Sequence, residues 1–173
     1  MKKLMNYKIL VLLMILSLGT FAPDASAHCE IPCGIYGDAM RFDMIEENCQ
    51  TVEKSMAKII SLSLEGEGNY NQLVRWVNNK EIHANKIQEI VTQYFMFQRV
   101  KPVTNDNIED REAYNNKLVL LHKMLVQVMK CKQTTDITHV TKISELLDSF
   151  RIAYFGEKAI AHLEEHHLLN PSP

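Results

Sequence analysis

Apolar residues recur at alternating steps of three and four in four separate runs of this chain, and no run alternates at the step of two that a half-buried strand requires. The first run follows Asp38, which is placed to serve as an N-cap, and passes through Ile45, Cys49, Val52, Met56 and Ile59. Two glycines in the apolar-free stretch Glu65, Gly66, Glu67, Gly68, Asn69 then predict a turn. A second stripe joins Leu73, Val77, Ala84, Ile87, Val91 and Tyr94, with Lys80 as its one polar interruption, and stops before Pro102. After a polar segment from Thr104 to Asn107 that offers another cap, a third stripe holds Tyr114, Leu118, Leu121, Leu125 and Val128. The fourth begins near Asp136, carries Val140, Ile143, Leu147, Phe150 and Tyr154, and breaks at Gly156. Four amphipathic segments with short polar connections predict an all-α fold, an antiparallel four-helix bundle over about residues 38–158. Met and aromatic side chains on these stripes are expected in the core, as are Cys49 and Cys131, which read as buried thiols with a mutual disulfide as the alternative.

Residues 1–27 do not belong to that fold. Lys2, Lys3 and Lys8 make a basic start, Ile9 to Leu18 is almost unbrokenly apolar, and Ala25, Ser26 and Ala27 form a small-residue cleavage site, the order of a secretory signal peptide. A membrane anchor would need about 20 apolar residues, and Pro23 and Asp24 interrupt the run before that. Cleavage after Ala27 by a signal peptidase is therefore expected, with the product exported to a periplasmic or extracellular location and holding no membrane segment. The formal charge of the whole chain is −2, and losing three lysines with only Asp24 makes the mature chain more acidic. Such a balance gives no reason to expect nucleic acid as a partner, and it leaves any attraction of an anion to local Lys and Arg.

The mature chain would open with His28, Cys29, Glu30, Ile31, Pro32, Cys33, Gly34, Ile35 and Tyr36. Pro32 lacks an amide hydrogen and disfavours a helical Ile31, while Gly34 permits backbone angles closed to other residues, so a compact hook over residues 28–36 is predicted in place of a helix. Cleavage frees an amine on His28 whose reference pKa is about 7.7 to 8.0, close to the range in which it binds a metal. That amine, the backbone nitrogen of Cys29 and the two thiolates of Cys29 and Cys33 give two nitrogens and two sulfurs, with the His28 imidazole available axially. Planar strong donors suit Ni(II) or Cu(II), whereas Zn(II) tends to tetrahedral sites. Thiolate and ionised amide donors also bring a higher oxidation state within reach, as a metal that exchanges single electrons with superoxide requires. Tyr36 is near enough in sequence to cover an open face and order substrate there.

His28, Cys29, Pro32, Cys33, Gly34 and Tyr36, in this order and spacing, resemble the hook of the nickel superoxide dismutases. The resemblance implies a nickel cofactor and conversion of superoxide to oxygen and hydrogen peroxide. It also implies metal ligation by His28, Cys29 and Cys33, a catalytic contribution from Tyr36, and assembly of the bundle as a homo-hexamer. Gln93, Tyr94 and Phe95 resemble the family's second gating tyrosine, which makes Tyr94 a partner of Tyr36, with a bundle-core role as the competing reading. The family's axial histidine is held by a Glu of the first helix and an Arg of the second. Here those places fall near Ile45 or Glu46 and near Asn79 or Lys80, and neither is assigned.

His162, Leu163, Glu164, Glu165 and His166 match an HxxEH zinc-peptidase pattern in the tail, residues 159–173, but only seven residues follow His166, too few for a third ligand and a cleft. A solvated terminal helix is the plainer expectation there, and isolated His83, His122 and His139 read as surface or satisfied core histidines. An exported helical binding protein stapled by a Cys29–Cys33 disulfide, or one that carries copper on the same donors, remains the alternative without enzymatic activity. Lipid attachment is excluded because it needs Cys as the first mature residue, a place His28 holds.

Overall fold

The computed structural model describes residues 37–156, and these form a four-helix bundle without strands among the described residues. Helices α1 (Asp38–Leu64) and α2 (Tyr70–Glu89) pack along each other, as do α3 (Ile108–Gln133) and α4 (Thr138–Phe155). Contacts of α2 with α3 and of α1 with α4 close the ring, so each helix lies beside its neighbours in sequence. Short connections between consecutive, adjacent helices impose the antiparallel arrangement that the sequence predicts. No described helix is long and apolar enough to cross a membrane.

Local chemistry sets the ends. Gly66 adopts φ +88°, a left-handed angle that lets the chain leave α1 and enter a short 3-10 turn, Glu67–Asn69. Before α3, the Asn107 side chain accepts from the backbone N–H of Glu109 at 2.8 Å, with Glu109 and Asp110 in the first turn where the helix dipole favours acids. Asp136 does the same for Thr138 at 3.0 Å ahead of α4. At the far end Gly156, φ +79°, donates its N–H to Ile152 at 2.9 Å and ends that helix. After Glu89 the second helix widens into a ten-residue π-helix, Ile90–Arg99, before Pro102. Its last turn is closed by Val100 N–H donating to the Phe95 carbonyl at 2.8 Å. Continuous π geometry of this length is rare and is often found at functional sites.

The predicted stripes supply most of the core. Ile45, Cys49, Val52 and Met56 of α1, Ala84 and Ile87 of α2, Val91, Tyr94 and Phe95 of the π-helix, Leu121, Met124, Val128 and Cys131 of α3, and Val140, Ile143, Leu147 and Phe150 of α4 are all buried. Val77, expected inside, is 37% exposed, and Ile59 is only half-buried. Lys80, expected as a flaw in its stripe, is 4% exposed. Its ammonium donates to the carbonyls of Cys131, Lys132 and Thr134 at 2.8, 2.6 and 3.2 Å, which are acceptors left over at the end of α3. A cation at the negative end of a helix satisfies both the orphan carbonyls and its own donors. Phe42, unassigned in sequence, centres an aromatic cluster with Phe95 at 5.0 Å and Phe150 at 5.4 Å between ring centroids.

Cys49 and Cys131 are both buried and free. Burial, then the proximity of Cys131 and of acidic Glu46, pushes the Cys49 thiol up to about 12. Burial pushes Cys131 to about 11 against the opposing charge of Lys80. A rise of this size from an ordinary 9.0 leaves about a thousandfold less thiolate on Cys49 at neutral pH. Neither thiol should react with iodoacetamide in the folded protein near pH 8, whereas both should be labelled after denaturation, as mass spectrometry of intact and unfolded samples will read. Rapid native labelling of either would contradict the burial.

Candidate functional site

The hook residues His28, Cys29, Cys33 and Tyr36 lie outside the described residues, as does the His162 to His167 tail. What the structure describes is the root of the hook. Cys33 precedes Asp38 by five positions, a tether of at most about 18 Å, and Asp38 is the first residue of α1. Its side chain does not cap α1, as the sequence had allowed; Gly37 occupies the cap position, and no side chain bonds there.

The Asp38 carboxylate turns instead toward the bundle. One oxygen accepts a short hydrogen bond from the Tyr94 hydroxyl and lies 2.9 Å from the Arg99 guanidinium. The other accepts from the Tyr154 hydroxyl at 2.7 Å. Arg99 also donates to the Tyr94 oxygen at 2.9 Å. Tyr94 and Arg99 are five residues apart, a separation that falls on opposite sides of the spacing an α-helix would align but stacks in a helix closed by i→i−5 bonds. The widened turn thus brings guanidinium and phenol to the same carboxylate. Guanidinium groups of Arg41 and Arg99 also flank the Tyr94 ring at 4.8 and 5.0 Å from its centroid. Both arginines bury an Nε–H that meets no acceptor.

Charge at this cluster is balanced by contact. Burial raises the Asp38 carboxyl, but hydrogen bonds from Tyr94 and Tyr154 and the charge of Arg99 outweigh it and hold the group below the ordinary aspartate value. Asp38 therefore contributes to folding stability above the unfolded aspartate pKa of about 3.9, and the contribution is lost as pH falls through the depressed native value. Burial, reinforced by the bond to Asp38, raises the Tyr94 phenol. The same two causes, in the same order, raise Tyr154. Both phenols are neutral in the working range. Tyr154 also lines a cleft of about 440 Å³ with Arg99, Lys101, Tyr114 and Lys117, where Asp110 is the acidic member.

Tyr94 is thus a core residue, 5% exposed, and at the same time a polar contact of the helix that carries the hook. Positions considered for holding the axial histidine are otherwise engaged. Ile45 is fully buried, Glu46 pairs with Arg151 at 2.6 Å, the Asn79 amide donates to Ser55 at 2.9 Å, and Lys80 closes the end of α3. His83 shares a hydrogen bond with Asn48 at 2.7 Å and His139 with Gln127 at 2.9 Å, as satisfied helix histidines do. Among the described residues no three His, Cys, Asp or Glu side chains gather as a metal site. Sequence reasoning missed Asp38 as an acceptor, Arg99 and the hydroxyl of Tyr154. The one available signal was that a stripe ending in two hydroxylated rings, Tyr94 and Tyr154, needs an acceptor where those stripes end.

A family model described as nickel-containing superoxide dismutase matches residues 23–158, taking in the hook and all four helices. No curated protein and no solved structure matches the chain.

Proposed function

The chain belongs to the nickel-containing superoxide dismutase family, and from that premise we propose that its nickel is held by the mature N terminus, through His28, Cys29 and Cys33. Superoxide is the substrate, and nickel is the cofactor, as the family has it. One observation supports the finer reading: the family match begins before His28 and spans residues 28–36. The donor set fits the metal chemically. An α-amine, an ionised amide nitrogen and two thiolates are strong, electron-rich donors of the kind that suits nickel over harder ions. When bound, nickel supplies the one-electron exchange that disproportionates superoxide to oxygen and hydrogen peroxide.

The chain's own residues do the rest. His28 would supply the amine, which must be unprotonated to donate, and its imidazole. Cys29 gives its backbone nitrogen and thiolate, and Cys33 the second thiolate, each losing a proton on metal binding. Pro32 and Gly34 shape the turn. Tyr36 would order substrate, and Tyr94 is a neutral phenol held by Asp38 and Arg99. Exposure of the His28 amine requires removal of residues 1–27, so signal peptidase is the maturation partner and the enzyme works in the periplasm or outside the cell. The homo-hexamer of the resemblance is adopted with this reading, and the exposed apolar side chains Tyr70, Val74 and Val77 of α2 are suited to subunit contacts.

The test is to produce the full precursor in an exporting host, sequence the mature N terminus, and measure bound nickel and superoxide removal on the same sample. A terminus at His28 with about one nickel per chain and rapid superoxide decay is expected. Active protein that starts elsewhere, or that carries copper in place of nickel, would defeat the proposal.

A further inference from the structure

Asp38 and Arg99 bond the Tyr94 hydroxyl and Tyr154 braces Asp38, more partners than a buried hydroxyl needs to be satisfied. A buried tyrosine hydroxyl is satisfied by a single acceptor. Here the phenol gives its only proton to Asp38, accepts from Arg99, and has the guanidinium groups of Arg41 and Arg99 within 5.0 Å of its ring centroid, while the same carboxylate is held from its other oxygen by Tyr154. Every rotational freedom of the Tyr94 hydroxyl is removed, and so is its capacity to donate elsewhere. One acceptor lone pair remains. A phenol in that state can receive a hydrogen bond, but it cannot hand a proton to an anion while it donates to Asp38.

We infer that Asp38, braced by Arg99 and Tyr154, is a positioning residue that fixes Tyr94 as a proton-retaining acceptor at the root of the hook. The inference rests on the proposed reading of residues 28–36 as the reaction site. It assigns Asp38 and Tyr154 a role in turnover, and it removes Tyr94 as the source of protons for peroxide, which must then come from solvent or from other groups. Because Asp38 is also the first residue of α1, the contact that sets Tyr94 is the one that anchors the chain leading back to Cys33.

Two variants test it on the full-length, signal-processed protein. Asp38→Asn keeps the shape of the side chain but removes the charge and offers N–H donors to partners that need an acceptor. Tyr154→Phe removes a single hydroxyl from the far oxygen. Nickel content, the superoxide decay rate per bound nickel and the pH profile of that rate are measured well below the melting temperature. A purely structural Asp38 would lower the folded fraction and leave the rate per nickel unchanged. The expected result is near-complete nickel loading in both variants, a rate per nickel about tenfold lower in Asp38→Asn and a few-fold lower in Tyr154→Phe.

The alkaline limb should move to lower pH in Asp38→Asn. The charged and titratable groups facing Tyr94 are Asp38 and Arg41 from α1, Arg99 from the π-helix and Tyr154 from α4, with Lys117 of α3 behind the Tyr154 ring. Removing the one carboxylate leaves the arginines to favour tyrosinate, so the phenol ionises more easily. An unchanged rate per nickel and an unchanged profile in nickel-loaded Asp38→Asn overturn the inference while leaving the hook reading intact. Wild-type protein beginning at His28 that binds no nickel would instead bring down the hook reading itself.

Discussion

Cys29→Ser, Cys33→Ser, or a single residue added ahead of His28 will each abolish nickel binding and superoxide removal together. Each change deletes one donor from a set of four that comes from a stretch of six residues. A serine hydroxyl does not ionise near neutral pH and gives no soft sulfur in its place. An added residue turns the amine of His28 into an amide and moves the free amine out of the small chelate ring it shares with the Cys29 nitrogen. Outer partners of a metal ligand typically cost roughly 10- to 100-fold in affinity when removed, so loss of a ligand should exceed that, and nickel should be undetectable after dialysis. Circular dichroism should stay helical in all three, because the hook lies ahead of the bundle. Tyr36→Phe is the contrasting case: it keeps every donor, so nickel should be retained with a rate lowered within about tenfold. Any of the three donor variants that held nickel and full activity would remove the hook from the mechanism.

Lys80→Met will be the most damaging single substitution in the bundle among its polar residues. Methionine fills a similar space, so little is lost in packing. What it leaves behind are the carbonyls of Cys131, Lys132 and Thr134 with their common donor gone, on a helix end covered by α2. Bonds to a charged donor contribute about 1.5–3 kcal/mol, and a stranded buried acceptor costs a further share, so a loss of about 3 kcal/mol is expected. For a bundle of this size that corresponds to a melting temperature lower by roughly 10 °C. Urea denaturation of the wild type and variant will read it, and the rate per bound nickel should not change at low temperature. Lys130→Met, on a more exposed lysine of the same helix end, should shift the melting point by no more than about 2 °C. Equal effects from the two substitutions would mean that Lys80 is not the cap.

The contrast between Lys80 and the stripe it interrupts shows how far local pattern reaches. Spacing of three and four predicted α1 through α4 because amphipathic periodicity is written within each helix and needs no knowledge of its neighbours. The same pattern could not say why Lys80 was tolerated, since its acceptors lie 51 to 54 residues away and belong to the end of another helix. It misjudged Val77 for a related reason: a residue on the apolar face of a helix is buried only where a neighbour covers it, and there none does so fully. The disulfide offered for Cys49 and Cys131 was a matter of compartment, and the structure leaves both as buried thiols.

The proposed hook rests on sequence alone, because its candidate donors are contiguous: an expected cleavage site, a histidine that cleavage would make terminal, and two cysteines with a proline between them. Chelation by neighbouring residues is a local property, as helix periodicity is. The environment of Tyr94 was not legible, because Asp38 and Tyr94 are 56 residues apart, Asp38 and Tyr154 are 116 apart, and the alignment of Tyr94 with Arg99 depends on a π-helix that propensity does not announce. Sequence determined which helix faces turn inward and which contiguous residues are proposed to bind the metal. Only the packed bundle decided that one carboxylate at the start of the first helix would join two phenols and a guanidinium, since that meeting exists only once α1, the π-helix and α4 share a core.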